Sequence, residues 1–172
     1  MTDPIVKIVP MPGPVGTLSG KYGAFEYTGS QAVTDATQAL TFPWNTTSFS
    51  SGVTTSNTTR INFPTAGVYN IQWSGQFQNT NGTDRDISVW FSINGTNVAG
   101  STGLATIPGS HGAVNGHAIV GWNYFLSFTA GQYLEINWAA ETTSVSLESY
   151  IAGTSPTRPT TSALSLTVNQ IA

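Results

Sequence analysis

The sequence predicts an all-β protein, two antiparallel sheets packed as a sandwich, and three observations carry that prediction. Apolar and polar residues alternate at period two along most of the chain. No apolar set recurs at i, i+3, i+4 and i+7 for three turns. Gly, Pro, Thr and Asn interrupt the chain too often for long helices. The clearest stretch is GVYNIQWSGQF at residues 67–77, which puts Tyr69, Ile71, Trp73 and Phe77 on one face and Asn70, Gln72, Ser74 and Gln76 on the other. The first face is expected to lie in the core, with Trp73 and the later Trp138 as its largest side chains.

Taken in order, Phe25 and Tyr27 alternate in a first short strand, and Leu40, Phe42 and Trp44 in a second that ends at Pro43-Trp44-Asn45. Ile61 and Phe63 precede Pro64-Thr65-Ala66-Gly67, a turn feeding the GVYNIQWSGQF strand. Ile87, Val89, Phe91 and Ile93 share a face and run into Asn94-Gly95, a dipeptide that accepts the positive φ angles of a two-residue type I′ hairpin. A Gly-rich loop is expected from Gly100 to Gly116. Beyond it Val120, Trp122, Tyr124, Leu126 and Phe128 form an apolar row, turned by Ala130-Gly131-Gln132 into Leu134, Ile136 and Trp138 as a second hairpin. Val145 to Ile151 is a further strand, GTSPTRPTTS a loop, and Leu164, Leu166 and Val168 the last strand. Roughly eight to ten strands at this spacing indicate the two-sheet sandwich. In the strand from Ile119 to Phe128 the odd positions also carry Ile119 and Phe125, so both faces are partly apolar and the second face calls for a cover.

Bulk properties narrow the function. A chain of 172 residues is one domain's worth, with enough length to bury a sizeable core. Charged residues make up 8%, far below the usual share of about 25%, and Ser and Thr supply roughly a quarter of the chain. The surface is therefore polar but nearly neutral. Only Lys7, Lys21, Arg60, Arg85 and Arg158 are cationic, against a net charge of −3, so no basic stripe follows a phosphate backbone and nucleic acid is not an expected partner. Without Cys there is neither a disulfide framework nor a thiolate metal site. No stretch approaches the ~20 apolar residues of a membrane span, and the amino terminus, MTDPIVKIVPMPGP, lacks the apolar run of a classical secretory signal. The sequons at Asn45, Asn57, Asn81 and Asn94 read as chance products of an Asn- and Thr-rich chain.

Catalytic signatures are missing: there is no Gly-x-Ser-x-Gly elbow, phosphate-binding glycine loop or His-Glu-x-x-His helix, and the chain is read as no enzyme. Asp84 with Asp86, or Glu141 with Glu148, could be drawn as pairs of the kind glycoside hydrolysis uses, but acids on a loop or strand edge of an all-β chain are more often solvated surface. His111 and His117 flank the GAVNG segment as loop histidines, two ligands where zinc wants three or four. Asn81, Asp84 and Asp86, in an oxygen-rich segment from Asn79 to Asp86, are weak calcium candidates. The closing bidentate Glu is missing, and side-chain bonds stabilising an ordinary strand connection are the simpler reading. No cofactor is expected.

The motif PTAGVYNIQW, with Gly67, Tyr69, Ile71 and Trp73 in a Gly-x-Tyr-x-aromatic pattern, and the later segment Leu126 to Leu134 with its Ala-Gly turn, resemble the globular domain shared by the C1q and tumour-necrosis-factor proteins. The runs GVYNIQWSGQFQNT, DISVWFSINGTNVAGSTG, WNYFLSFTAGQYLEINW and AGTSPTRP are similar to C1q-like modules carried by bacteriophage structural proteins. The resemblance spans about residues 23–172 and implies a ten-strand jelly roll that assembles as a homotrimer. It departs from many such phage proteins in lacking a collagen-like tract, since only Gly13 and Gly16 keep the period and Gly20 falls out of it. Residues 1–22, with Pro4, Pro10, Pro12 and Pro14, are expected to form an extended docking arm ahead of the jelly-roll domain.

The resemblance implies a non-enzymatic virion surface protein, a trimeric knob that decorates or cements a capsid and is held to other virion proteins through residues 1–20. A tail-fibre or tail-tip module recognising a host-surface glycan or protein is the alternative. In that family the threefold axis is built largely from the inner sheet. The aromatics Tyr27, Tyr124, Phe125 and Tyr133 could therefore meet neighbouring subunits, line a groove or pack in the core, while Trp90, opposite Ile87, Val89 and Phe91, is the candidate ligand contact.

Overall fold

A computed structural model describes residues 20–172, and the expected arm at 1–22 lies almost wholly outside the described residues. Among the described residues there are sixteen strands and no helix: β1 (Tyr22–Tyr27), β2 (Gln31–Ala32), β3 (Leu40–Thr41), β4 (Thr46–Ser51), β5 (Thr54–Ser56), β6 (Arg60–Phe63), β7 (Gly67–Asn79), β8 (Arg85–Ile93), β9 (Thr96–Asn97), β10 (Gly103–Ile107), β11 (Gly116–Phe128), β12 (Gln132–Ala140), β13 (Val145–Leu147), β14 (Gly153–Thr154), β15 (Thr157–Arg158) and β16 (Leu164–Gln170).

They form two antiparallel sheets and one small hairpin, β14–β15. The first sheet runs β4-β1-β16-β7-β11. Ile71 pairs with Val168 of β16 and also with Tyr124 of β11, which puts those two strands on opposite edges of β7. The upper end of β7 pairs with β13, and β13 with β2. The second sheet runs β10-β8-β12-β6-β5, with β3 beside β12 and β9 beside β8. The inward row of β7, Tyr69, Ile71, Trp73 and Phe77, meets Val89, Phe91, Leu134, Ile136 and Trp138 of the second sheet in one buried core. Trp73 and Trp138 are both buried, as expected from the sequence. Phe42 stands edge-on to Trp73 at 5.2 Å between centroids, and Phe77 edge-on to Trp138 at 5.4 Å. The Trp138 indole N–H, deep in this core, donates to Gln31 Oε1 at 2.8 Å, so the two-residue strand β2 satisfies the one polar atom of the largest core side chain.

The turn at Asn94-Gly95 forms as expected. Both residues have positive φ, 51° and 79°, and Ile93 pairs with Thr96 across it. Four expectations need correction. The stretch Gly100 to Gly116 is not all loop: Gly103–Ile107 pairs with Arg85–Val89 as the edge of the second sheet. The rows ending at Phe128 and beginning at Leu134 are not a hairpin, because β11 pairs with β7 and β12 with β8 and β6. Thr129 to Gly131 instead carries the chain from one sheet to the other. Gly131 N–H donates to Phe63 O of the facing sheet, and Phe128 stacks on Phe63 with centroids 3.7 Å apart. The strand expected over Val145 to Ile151 stops its ladder at Leu147, beyond which Tyr150 makes an isolated bridge to Thr161. The strand expected through Leu40, Phe42 and Trp44 keeps only Leu40–Thr41 in a ladder, although Phe42 and Trp44 remain buried.

Candidate functional site

The outward face of the first sheet is where polar and apolar surface meet. Register places Asn70, Gln72, Ser74 and Gln76 of β7 between Phe125, Asn123, Gly121 and Ile119 of β11 and Asn169, Thr167 and Ser165 of β16. Nothing charged lies in these rows. Ile119 and Phe125 are 73% and 58% exposed, whereas the neighbouring even positions Trp122 and Tyr124 are turned inward against the core. The second apolar face expected on this strand is thus real and uncovered among the described residues. Gly121 keeps the centre of the face shallow: a Cβ there would collide with the Trp73 carbonyl oxygen and reach within 2.9 Å of Ser74 Cα. Beside Phe125, the Asn70 Oδ1 atom is buried with no hydrogen-bond partner among the described residues.

β11 is also an edge. Its thirteen residues pair with β7 on one side, and no other described strand pairs with it. It carries no Asp, Glu, Lys, Arg or Pro, the usual devices that keep an edge from pairing. Where the two sheets gape between β11 and β10, Trp122 closes the gap by lying over Gly103 and standing edge-on to Trp73 at 4.6 Å.

At the Gly116 end of the same strand a cavity of about 350 Å³ opens between the sheet and the loop after β13, lined by Gln76, His117, Ile119, Tyr150, Arg158 and Thr161. The Tyr150 hydroxyl and His117 Nδ1 are 3.0 Å apart, with their rings edge to face at 5.7 Å. Tyr150 is fixed through its backbone, which exchanges both hydrogen bonds with Thr161. Burial, and secondarily the charge of Glu148, pushes the Tyr150 phenol above its ordinary pKa, so it stays a donor. The Glu148 carboxylate accepts the Ser30 and Ser146 hydroxyls, each at 2.7 Å.

The four aromatics expected at subunit contacts do not converge. Phe125 lies on the outward face and Tyr124 points inward, its ring edge-on to Phe91 at 5.3 Å and its hydroxyl donating to Gly100 O at 3.3 Å. Tyr27 packs at the rim of the core with its hydroxyl on Ser30 O. Tyr133 is in the other sheet, under the Arg60 guanidinium at 4.0 Å, where Arg60 also pairs with Glu135. Trp90 is half-buried on the outer face of the second sheet, and its indole N–H donates to Asn97 Oδ1 at 3.0 Å.

The weak calcium candidates each have other work. Asn81 Oδ1 accepts from Thr83 N and Oγ1, Asp84 Oδ1 from Gly109 N at 2.8 Å, and Asp86 Oδ1 from Thr106 Oγ1. Asp86 N–H in turn donates to Glu141 Oε1 at 3.0 Å, while Glu148 accepts from Ser30. Among the described residues no group of three or more His, Cys, Asp and Glu gathers as a metal would need. His111 is exposed in the loop, while His117 stands on β11 and not in the loop where it was expected. Sequence reasoning missed Arg158, Tyr150 and Gln76, which only the return of the 153–161 loop onto β7 and β11 brings together. Neither a family model nor a curated protein matches the sequence.

Proposed function

We propose that the chain is a non-enzymatic structural protein that assembles as a homotrimer through the outward face and free edge around β11, forming a surface knob of a virion. The observation that carries this reading is β11 itself: a thirteen-residue uncharged edge strand with Ile119 and Phe125 exposed on the side that its own sandwich leaves bare. One further feature supports it. The two antiparallel sheets, in the orders β4-β1-β16-β7-β11 and β5-β6-β12-β8-β10, support the jelly-roll reading that the resemblance in sequence implies.

Capsid decoration follows from that resemblance and from the nearly neutral surface, which lets many copies sit close without summed repulsion. Attachment to the particle is assigned to residues 1–20. Light scattering on the purified protein tests the assembly: three times the chain mass at micromolar concentration is expected, and a well-folded monomer would refute it. Imaging of labelled particles tests the location. Hundreds of copies over the head are expected; a few copies at a tail tip would replace decoration with host recognition.

A further inference from the structure

We propose that the cavity between β11 and the 153–161 loop is a binding site for an acidic monosaccharide, with Arg158 taking the carboxylate. The proposal goes beyond the assembly reading and shares Ile119 and Gln76 with its face, so ligand titration tests the site while light scattering tests the assembly, and the two can fail separately. His117 and Phe125 are eight residues apart on β11, about 26 Å at strand rise, so the cavity sits at the far end of the strand from the Phe125 patch.

The chemistry of the walls selects the ligand. At about 350 Å³ the cavity is at the small end of the range for ligand sites, the size of one sugar ring with its water. Ile119 supplies an apolar wall, and Gln76, Thr161 and Tyr150 supply uncharged donors and acceptors at its rim, a composition suited to a ring that is apolar on one face and hydroxylated at its edge. Arg158 adds one cation on a chain that has only five Lys and Arg in all. No acid lies within salt-bridge distance of it among the described residues, unlike Arg60 and Arg85, which are paired with Glu135 and Glu141. The guanidinium and its stem lie directly over Gly153, where a Cβ would come within 2.7–2.8 Å of Arg158 Cγ, Cζ and Nε, so a side chain at 153 would displace Arg158 from this placement across the hairpin β14–β15. A planar cation with parallel N–H groups matches a carboxylate in two-point contact. The nearest acid in the lining loop, Glu148, is turned to Ser30 and Ser146.

Titration of the full chain by calorimetry and by NMR tests this with three carboxylated probes, the methyl glycosides of glucuronic, galacturonic and N-acetylneuraminic acid. Methyl glucoside and methyl galactoside serve as neutral twins, and sodium sulfate as a plain anion. At least one acid is expected to bind saturably and at least tenfold more tightly than its neutral twin or sulfate, shifting ring resonances of His117 and Tyr150. Arg158→Ala should weaken that binding by tenfold or more with circular dichroism unchanged, and Gly153→Val, which displaces the guanidinium while leaving it present, should weaken it too. The proposal is overturned if none of the three acids binds at millimolar concentration. Sulfate binding as tightly as the acid, or Arg158→Ala binding the acid as the parent does, overturns it equally.

Discussion

Asn79, the last residue of β7, is fully buried, and its side-chain amide lies within hydrogen-bonding distance of five groups, its two N–H shared among three carbonyls. Its amide nitrogen donates to Thr83 O at 2.9 Å and to Ile107 O and Pro108 O at 3.3 Å, while Oδ1 accepts from Asn81 N and Ser144 Oγ. Removing it leaves the buried Ile107 carbonyl without this donor and strips the bonds to Thr83, Pro108, Asn81 and Ser144, so Asn79→Ala is expected to cost roughly 3 kcal/mol in urea unfolding, against a few tenths for the neighbouring exposed Thr80→Ala. The sequence marks this segment as rich in side-chain oxygen and favours a strand connection held by Asn and Asp, which is what the bonds form. It does not mark Asn79 as the buried member, because burial depends on where β10 and the loop before β13 come to rest. Glu26 carries a pH dependence. Ser162 Oγ at 2.6 Å and Ser48 Oγ at 2.8 Å donate to its carboxylate and hold its pKa below the ordinary value, against a smaller opposing effect of burial. A lowered folded pKa means stability present above the unfolded value of about 4.5 and lost as pH falls through the folded one. Thermal midpoints measured from pH 6 down to about 3 should therefore drop less steeply in Ser162→Ala than in the parent, because the variant has less of this stabilisation to lose.

At the scale of the element, β11 differs from every other long strand in having, among the described residues, one edge without a paired strand and an outward face that bares Ile119 and Phe125. Its inward row is only half-buried at Val120, Trp122 and Tyr124 because the sandwich is open between β11 and β10, and Trp122 is the plug. A side chain at Gly103 would place its Cβ 2.5 Å from the Trp122 ring, so Gly103→Val must push the indole off Trp73. We expect that variant to lose about 1–3 kcal/mol in thermal unfolding and to red-shift tryptophan fluorescence. Period-two patterning located this strand and its two-sided character. What patterning missed was the strand's partner: a row of alternating apolar residues, a short Gly-containing turn and a second row describe a hairpin and a crossing between sheets equally well. The choice falls to Phe63 and Gly131, which tie the Thr129 to Gly131 turn to the facing sheet, and to the full thirteen-residue register that β11 finds on β7.

For the whole molecule, the exposed patch predicts assembly by apolar contact and backbone pairing, with little contribution from charge. Phe125→Arg should convert the assembly to a folded monomer by light scattering, while the parent assembly should persist from low salt to about 1 M, since no ion pair is there to be screened. Deleting residues 1–20 should leave the assembled knob folded and remove it from particles, measured by copy number on the purified virion. The sequence by itself determined the all-β class, the core aromatics, the Asn94-Gly95 turn and the two-sided apolar character of β11. These rest on side-chain periodicity and local φ preference, which act between residues near in the chain. Only the tertiary structure decided which rows pair, that Gly100 to Gly116 contains an edge strand, and that Gln76, His117, Tyr150 and Arg158 share one cavity. Those outcomes turn on competition among distant segments for the same strand edges, and alternation, being the same on every strand, does not say which partner wins.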